Sequence, residues 1–149
     1  QKRVFSMIPA LKNAEFVRYG VMHRNSFINA PKVLAPDLSM KEHENVFFAG
    51  QITGVEGYME SASSGILAGI NMYRKLSGLD PLILPEITML GALTKHVTAS
   101  ESEDFQPMGA NFGIMPPLDE HIRDKKERYA AFAERSLKWF DQNIGGAYQ

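Results

Sequence analysis

Apolar positions are spread unevenly along the 149 residues, and their spacing changes abruptly at one place. Residues 46–49, Val-Phe-Phe-Ala, form a short run of β-prone side chains that predicts a buried strand inside a sheet. Gly50, Gly54 and Gly57 come next, where the backbone can turn sharply or let a ligand approach closely. From about Val55 the period becomes helical, with Met59, Ala62, Ile66, Ile70 and Tyr73 on one broad face. Gly65 and Gly69 lie about one turn apart on this helix and leave a side-chain-free groove that would let it sit tight on a sheet. Phe47, Phe48, Ile66, Leu67 and Ile70 are therefore the expected core. A helix that begins in such a turn offers unpaired N–H groups and a partial positive charge to an anionic ligand atom. The succession predicts a cofactor edge, although the same spacing also describes a strand-to-helix turn with no ligand. The glycines read GxxxGxxG, not GxGxxG with an acidic residue at the next strand end, so the βαβ unit that cradles a pyrophosphate is not expected here.

Elsewhere the pattern is weaker. Residues 4–11 are mixed apolar and interrupted by Pro9; Phe16, Val17 and Tyr19 suggest a strand entry that Gly20 ends or bulges. Residues 25–30 alternate as a second short strand would, Pro31 and Pro36 punctuate the connection onward, and residues 37–45 are polar and turn-like. Past Gly78, Pro81 and Pro85 delay the next helix, which should have Glu86 in its first turn and Ile87, Leu90 and Leu93 behind it. Residues 98–104 read as an acidic solvated loop, and residues 105–118, with Pro107, Gly109, Gly113, Pro116 and Pro117, as an extended or turning segment. A last helix is predicted from Asp119, as its cap, to about Gln142, with Tyr129, Ala133, Leu137 and Phe140 on its apolar face and Gly145-Gly146 at its end.

Composition narrows the function classes. With 44% hydrophobic and 22% charged residues the chain can build one modest core. A formal charge of -1 gives no global attraction to nucleic acid, so any RNA-binding surface must be local. No apolar run approaches the length of a membrane span, and the opening Gln-Lys-Arg-Val-Phe has no basic-then-apolar leader and reads as part of something longer. The absence of cysteine excludes disulfides and thiolate zinc sites, and the spacing of the four histidines gives no expectation of a metal.

Two further places can carry chemistry. His23, Arg24 and Asn25 together offer a titratable ring, a planar cation and an amide, a set suited to a pterin or a carboxylate tail. The plain alternative is a solvated strand end whose arginine pairs with a surface carboxylate. Tyr58, at the start of the predicted helix, can stack on a flat heterocycle or fill the core. Glu56 and Glu60 have no evident acid–base partner, and acids in a first helical turn commonly serve the helix dipole.

The string GQITGVEGYMESASSGILAGIN resembles the C-terminal flavin-contacting segment shared by two related families of tRNA-modifying flavoproteins. RYGVMHRNSFINAP, FQPMGANFGIMPP and IRDKKERYAAFAERSL narrow the resemblance to the folate- and FAD-dependent tRNA (uracil-5-)-methyltransferases. It extends over separated motifs from about Arg18 to Leu137. The sibling family, which installs carboxymethylaminomethyl groups on wobble uridines, shares the GQ…GY…G segment without MHRN or NFGIMPP, and it carries a longer helical C-terminal extension.

The resemblance implies the C-terminal part of an α/β, Rossmann-like FAD/NAD(P)-binding domain, with an incomplete sheet plus C-terminal helices. Residues 1–36 would end an inserted folate-side segment, and residues 37–149 would be the FAD-domain part with its closing helix. It implies that Gly50, Gln51, Gly54, Glu56, Gly57 and Tyr58 contact the cofactor and that His23, Arg24 and Asn25 face folate. The family uses reduced FAD to move a methylene group from 5,10-methylenetetrahydrofolate to C5 of the T-loop uridine of tRNA, with NAD(P)H as reductant, in the cytoplasm. A cysteine activates the pyrimidine in that family; with none in this chain, no catalytic residue is assigned, and the piece is expected to be inactive alone. An uncovered sheet edge at residues 46–49 would invite self-association. The sibling wobble-uridine enzyme and a non-catalytic interaction module with a degenerate cofactor groove are the alternatives.

Overall fold

A computed structural model describes residues 2–17, 25–101 and 104–144. Along the chain these form α1 (Lys2–Phe5), a 3-10 turn (Pro9–Leu11), α2 (Ala30–Val33), a 3-10 turn (Gly50–Thr53), β1 (Val55–Glu56), α3 (Tyr58–Leu76), α4 (Met89–Ala99), β2 (Met108–Gly109), a 3-10 turn (Phe112–Ile114) and α5 (Lys125–Asn143). The two strands pair in parallel, Val55 opposite Met108 and Glu56 opposite Gly109, so the fold is mixed α/β with a small open sheet. One core gathers Ala30, Leu34, Leu38, Val55, Leu67, Leu93, Val97 and Phe105. A smaller cluster joins Ala92, Met115 and Phe132 and seats α5.

Local chemistry explains the helix boundaries. Pro31 sits in the first turn of α2, where its missing N–H costs nothing, and residues 25–29 before it stay irregular instead of forming the predicted second strand. Phe16 and Val17 are likewise outside any strand, and Tyr19 and Gly20 lie outside the described residues. As expected, α4 starts beyond Pro85; it is capped by Thr88, whose side chain accepts from the Gly91 amide at 3.1 Å, so Glu86 and Ile87 precede it. Gly91 is required there because a Cβ would collide with the Pro85 carbonyl. Helix α4 runs on to Ala99, with Thr98 buried and bonded to the Thr94 carbonyl, so the solvated loop expected from residue 98 begins only at Ser100. The last helix is capped by Asp124, not Asp119: Asp124 accepts from the Glu127 amide at 2.9 Å, completing the Asp-x-x-Glu pattern that Asp119 lacks.

Residues 46–49 do not enter the sheet. The loop before them folds back and satisfies their backbone, with the Met40 amide donating to the Val46 carbonyl (2.8 Å) and the Phe48 amide to the Leu38 carbonyl (3.0 Å). The result is a single antiparallel bridge between Ser39 and Phe47. Asp37 holds that loop by accepting from the Ser39 amide and hydroxyl at 3.0 and 2.6 Å. Val46 is exposed, while Phe47 and Phe48 are half-buried at the rim of the core. The expected strand inside a sheet is therefore absent, and the open edge expected there is not the edge of a sheet.

The face of α3 is the second correction. Ser64, Leu67, Ala68 and Asn71 are its buried residues, whereas Met59, Ile66 and Tyr73 are exposed and Ile70 is half-buried. Asn71 explains part of this choice: its amide donates to the carbonyls of Asp37 (3.2 Å) and Leu82 (3.1 Å), and its oxygen accepts from the Leu82 amide (2.7 Å). Of the expected core residues only Leu67 is fully buried. The apolar face of α5 differs as well, with Phe132 buried and Leu137 exposed. Arg135 ties this helix to the turning segment by donating to the carbonyls of Pro117 and Pro116, each at 2.8 Å.

Candidate functional site

The glycine turn is built as a rigid shelf at the start of α3. Its first amide, Gly50 N, donates to the Ser64 hydroxyl at 2.8 Å, and that hydroxyl donates to the Ser61 carbonyl at 2.9 Å, so the helix itself holds the turn. Thr53, fully buried, donates from its hydroxyl to the Gly50 carbonyl at 2.7 Å. Two neighbouring segments are bonded to the same shelf: the Ile28 amide donates to the Ile52 carbonyl and the Met108 amide to the Gly54 carbonyl, both at 2.9 Å. Every one of these bonds commits a polar group to position, which is how irregular backbone is kept in one conformation.

Two glycines in the shelf have no substitute. Gly54 is left-handed at φ 92°, and a Cβ there would lie 2.6 Å from the Phe105 ring. Gly57, at φ 114°, is the residue on which α3 begins, and a Cβ would run into the Glu60 carboxylate folded back over it. Glu60 also accepts from the Ala110 amide at 3.2 Å, which joins the helix start to the segment after β2. Its carboxylate thus serves the local architecture.

A cleft of about 390 Å³ opens on this shelf, lined by Asn25, Gln51, Gly57, Tyr58 and Ser61. Tyr58 is 97% exposed, its ring free to lie against a flat ligand. The first amides of α3, at Tyr58, Met59 and Glu60, lack intrahelical acceptors, as at any helix start. The structure thus brings together four residues named from the sequence: Asn25 from the folate-side trio, and Gln51, Gly57 and Tyr58 from the cofactor set. Gly50 and Gly54 do not line the cleft but shape the turn behind it, and Glu56 lies in β1 with an exposed side chain. His23 and Arg24 lie outside the described residues. Ser61 and Ser64 are not singled out by the sequence; their helical spacing from Gly57 is the available signal. Among the described residues there is no cluster of histidine and carboxylate side chains fit to hold a metal ion, and no helix long and apolar enough to cross a membrane.

Comparison with known proteins adds a lineage to this geometry. Residues 1–80 match the family described as glucose inhibited division protein A. The chain is similar to the methylenetetrahydrofolate–tRNA-(uracil-5-)-methyltransferase TrmFO of Enterococcus faecalis, 60% identical over 137 residues that cover 92% of this chain and 32% of that protein. The protein of the same name from Streptococcus suis is 60% identical over 139 residues, 93% of this chain and 31% of its own length. That of Bacillus cytotoxicus is 54% identical over 138 residues, 93% and 32%. The chain thus spans about a third of the length of these relatives.

Proposed function

The chain belongs to the glucose inhibited division protein A family, and on that premise we propose that it is part of a folate- and FAD-dependent tRNA (uracil-5-)-methyltransferase. The whole enzyme would carry a one-carbon group from 5,10-methylenetetrahydrofolate to C5 of the T-loop uridine of tRNA, giving ribothymidine, in the cytoplasm. The observation that carries this reading is the cleft of Asn25, Gln51, Gly57, Tyr58 and Ser61 at the start of α3. It lies in a chain 60% identical to a relative bearing that enzyme's name. The support therefore comes from the turn and the relatives, not from the strand expected at residues 46–49. The names of these relatives favour the uracil-5 reaction over the wobble-uridine one.

The lining residues fit one edge of a flavin. First-turn amides of α3 donate to an electron-rich edge, Gln51 supplies an amide able to match a carbonyl or ring N–H, and the exposed Tyr58 ring covers a flat face. Gly57 keeps the approach clear. When bound, FAD supplies the capacity to carry the one-carbon group and to take electrons from NAD(P)H. Asn25 faces the same cleft, and with His23 and Arg24 just before it this side is assigned to folate. In this reading residues 1–36 end the folate-side segment and residues 37–149 form the C-terminal part of the Rossmann-like FAD domain. The thiol that activates the uridine is supplied from outside this chain, which has no cysteine.

The test is made in the full-length enzyme. Gly57→Val should lower the flavin bound per polypeptide, read from visible absorbance, because the new side chain meets Glu60 and opposes a φ of 114°. Unchanged flavin content would show that the turn is only structural. His23→Ala and Arg24→Ala should keep the flavin but lose tRNA methylation, and full activity in both would remove them from the folate side.

A further inference from the structure

Three serines stand in the first two turns of α3, and their hydroxyls are used differently. Ser63 donates to the Met59 carbonyl at 2.7 Å and Ser64 to the Ser61 carbonyl at 2.9 Å. A serine inside a helix settles its hydroxyl in this way, on a carbonyl about one turn back. Ser61 does not: among the described residues its hydroxyl makes no hydrogen bond, and it lines the cleft at the start of the helix. The base of the residue is nevertheless held. Its amide donates to the Gly57 carbonyl at 3.0 Å, its carbonyl takes the Ser64 hydroxyl, and a Cβ on Gly50 would lie 3.6 Å from its own Cβ. A polar group left free on an ordered base meets a ligand at little entropic cost. The other lining residues, Asn25, Gln51, Gly57 and Tyr58, bring two amides and a phenol and no charged side chain. The Glu60 carboxylate is turned to the Ala110 amide. A phosphate on this wall would find no cation in it, whereas a neutral ring edge that alternates C=O and N–H would find a donor or an acceptor for each group.

We propose that Ser61 is a ligand-binding residue of this cleft, its hydroxyl bonded to the C=O and N–H edge of a neutral heterocycle. The inference rests on the reading of the cleft as a flavin site, and it names the part of the flavin that enters: the ring, not the phosphates. A hydroxyl both donates and accepts and turns about one bond, so it can meet either group of such an edge. Ser64 has the supporting part. By accepting from the Gly50 amide while donating to the Ser61 carbonyl, it ties the turn that carries Gln51 to the helix that carries Ser61. A pterin ring presents the same kind of edge, and the experiment separates the two rings.

The test is made in the full-length protein. FAD is titrated into the flavin-free protein by fluorescence, and tetrahydrofolate into the FAD-loaded protein by absorbance. Ser61→Ala should weaken FAD roughly 2- to 10-fold, the loss of one neutral hydrogen bond, and shift the visible bands of the flavin that still binds. Ser63→Ala, whose hydroxyl is used inside the helix, should change neither. Weaker FAD with unmoved bands overturns the assignment to the ring. Unchanged FAD with weaker tetrahydrofolate keeps Ser61 as a binding residue, gives the cleft to the pterin and sinks the flavin reading. Both ligands bound as tightly as in the unaltered protein overturn the proposal and leave the flavin reading standing, whereas an unaltered protein that binds no FAD ends both. Hydrogen exchange over residues 48–64 guards against an indirect effect. Ser64→Ala, which leaves the Gly50 amide without its acceptor, should speed exchange there, and Ser61→Ala should not. An equal rise in the two variants makes Ser61 a structural residue and overturns the proposal.

Discussion

Helices α3 and α5 are both 19 residues long and are built for different surroundings. Helix α5 carries eight charged residues, Lys125, Lys126, Glu127, Arg128, Glu134, Arg135, Lys138 and Asp141, and buries only Phe132 fully. Helix α3 carries three, Glu60, Arg74 and Lys75, all near its ends, and buries four residues on one side. Charge at an exposed position keeps a helix soluble, and the middle of α3 goes without it although Ile66 and Tyr73 stand exposed there. Helix α5 closes a surface, whereas α3 builds the main core with one side and, among the described residues, leaves Met59, Ile66 and Tyr73 exposed on the other. Equal length and equal helicity therefore say little about place in the fold, and the distribution of charge says much more.

The sharpest way to break this comparison is to remove the one fully buried side chain of α5. Phe132 is stacked on Phe112 at 5.2 Å between ring centres and lies beneath the Arg135 guanidinium. Phe132→Ala should cost about 3–5 kcal/mol, and hydrogen exchange should show α5 losing protection before α3. If both helices lost protection together, the view of α5 as a separately docked closure would fail. The inner face of α3 comes next: Leu67→Ala should cost about 2–5 kcal/mol in urea unfolding, because Leu67 is buried in the main core. A value near zero would mean that the bare face, not this one, is the true inside.

Smaller effects sharpen the picture. Asp124→Ala removes the cap of α5, whose carboxylate accepts from the Glu127 amide, and should cost about 0.5–2 kcal/mol, with Asp124→Asn recovering most of it. No loss on removing that carboxylate would move the start of the helix elsewhere. The smallest effect belongs to the outer face of α3. Ile66→Ala in the chain alone should change stability by no more than about 0.5 kcal/mol, since the side chain already stands in solvent. A cost like that of Leu67→Ala would show the face to be covered within this chain after all.

The sequence was legible where the determining signals are local. The glycines, the change to a helical period and the proline ahead of α4 each act over a few residues, and the turn and both long helices appear in the structure. Four of the residues named from the sequence, Asn25, Gln51, Gly57 and Tyr58, line one cleft. Legibility ended where a distant partner decides. Residues 46–49 have the composition of a strand, but the Asp37 loop reaches them first and uses their hydrogen bonds. In α3 the larger side chains, Met59, Ile66 and Tyr73, mark the expected inner face, yet this chain buries the side carrying Ser64 and Asn71, whose polar groups hold the turn and the crossing loops. A rule that ranks faces by bulk cannot see those bonds. For α5, Asp119 and Asp124 are both competent caps, and only the Glu127 partner separates them.

Asn71 has a further consequence. A cylinder greasy on all sides has little to tell it how far to rotate about its own axis, since many azimuths bury similar area. The three hydrogen bonds of Asn71 to Asp37 and Leu82 work only at one azimuth, so they index the rod as a key indexes a shaft. Fixing that angle along α3 also fixes the bearing on which Tyr58 and the glycine turn emerge at its far end, about four turns away. Orientation at the cleft is thus set by an amide that never touches it.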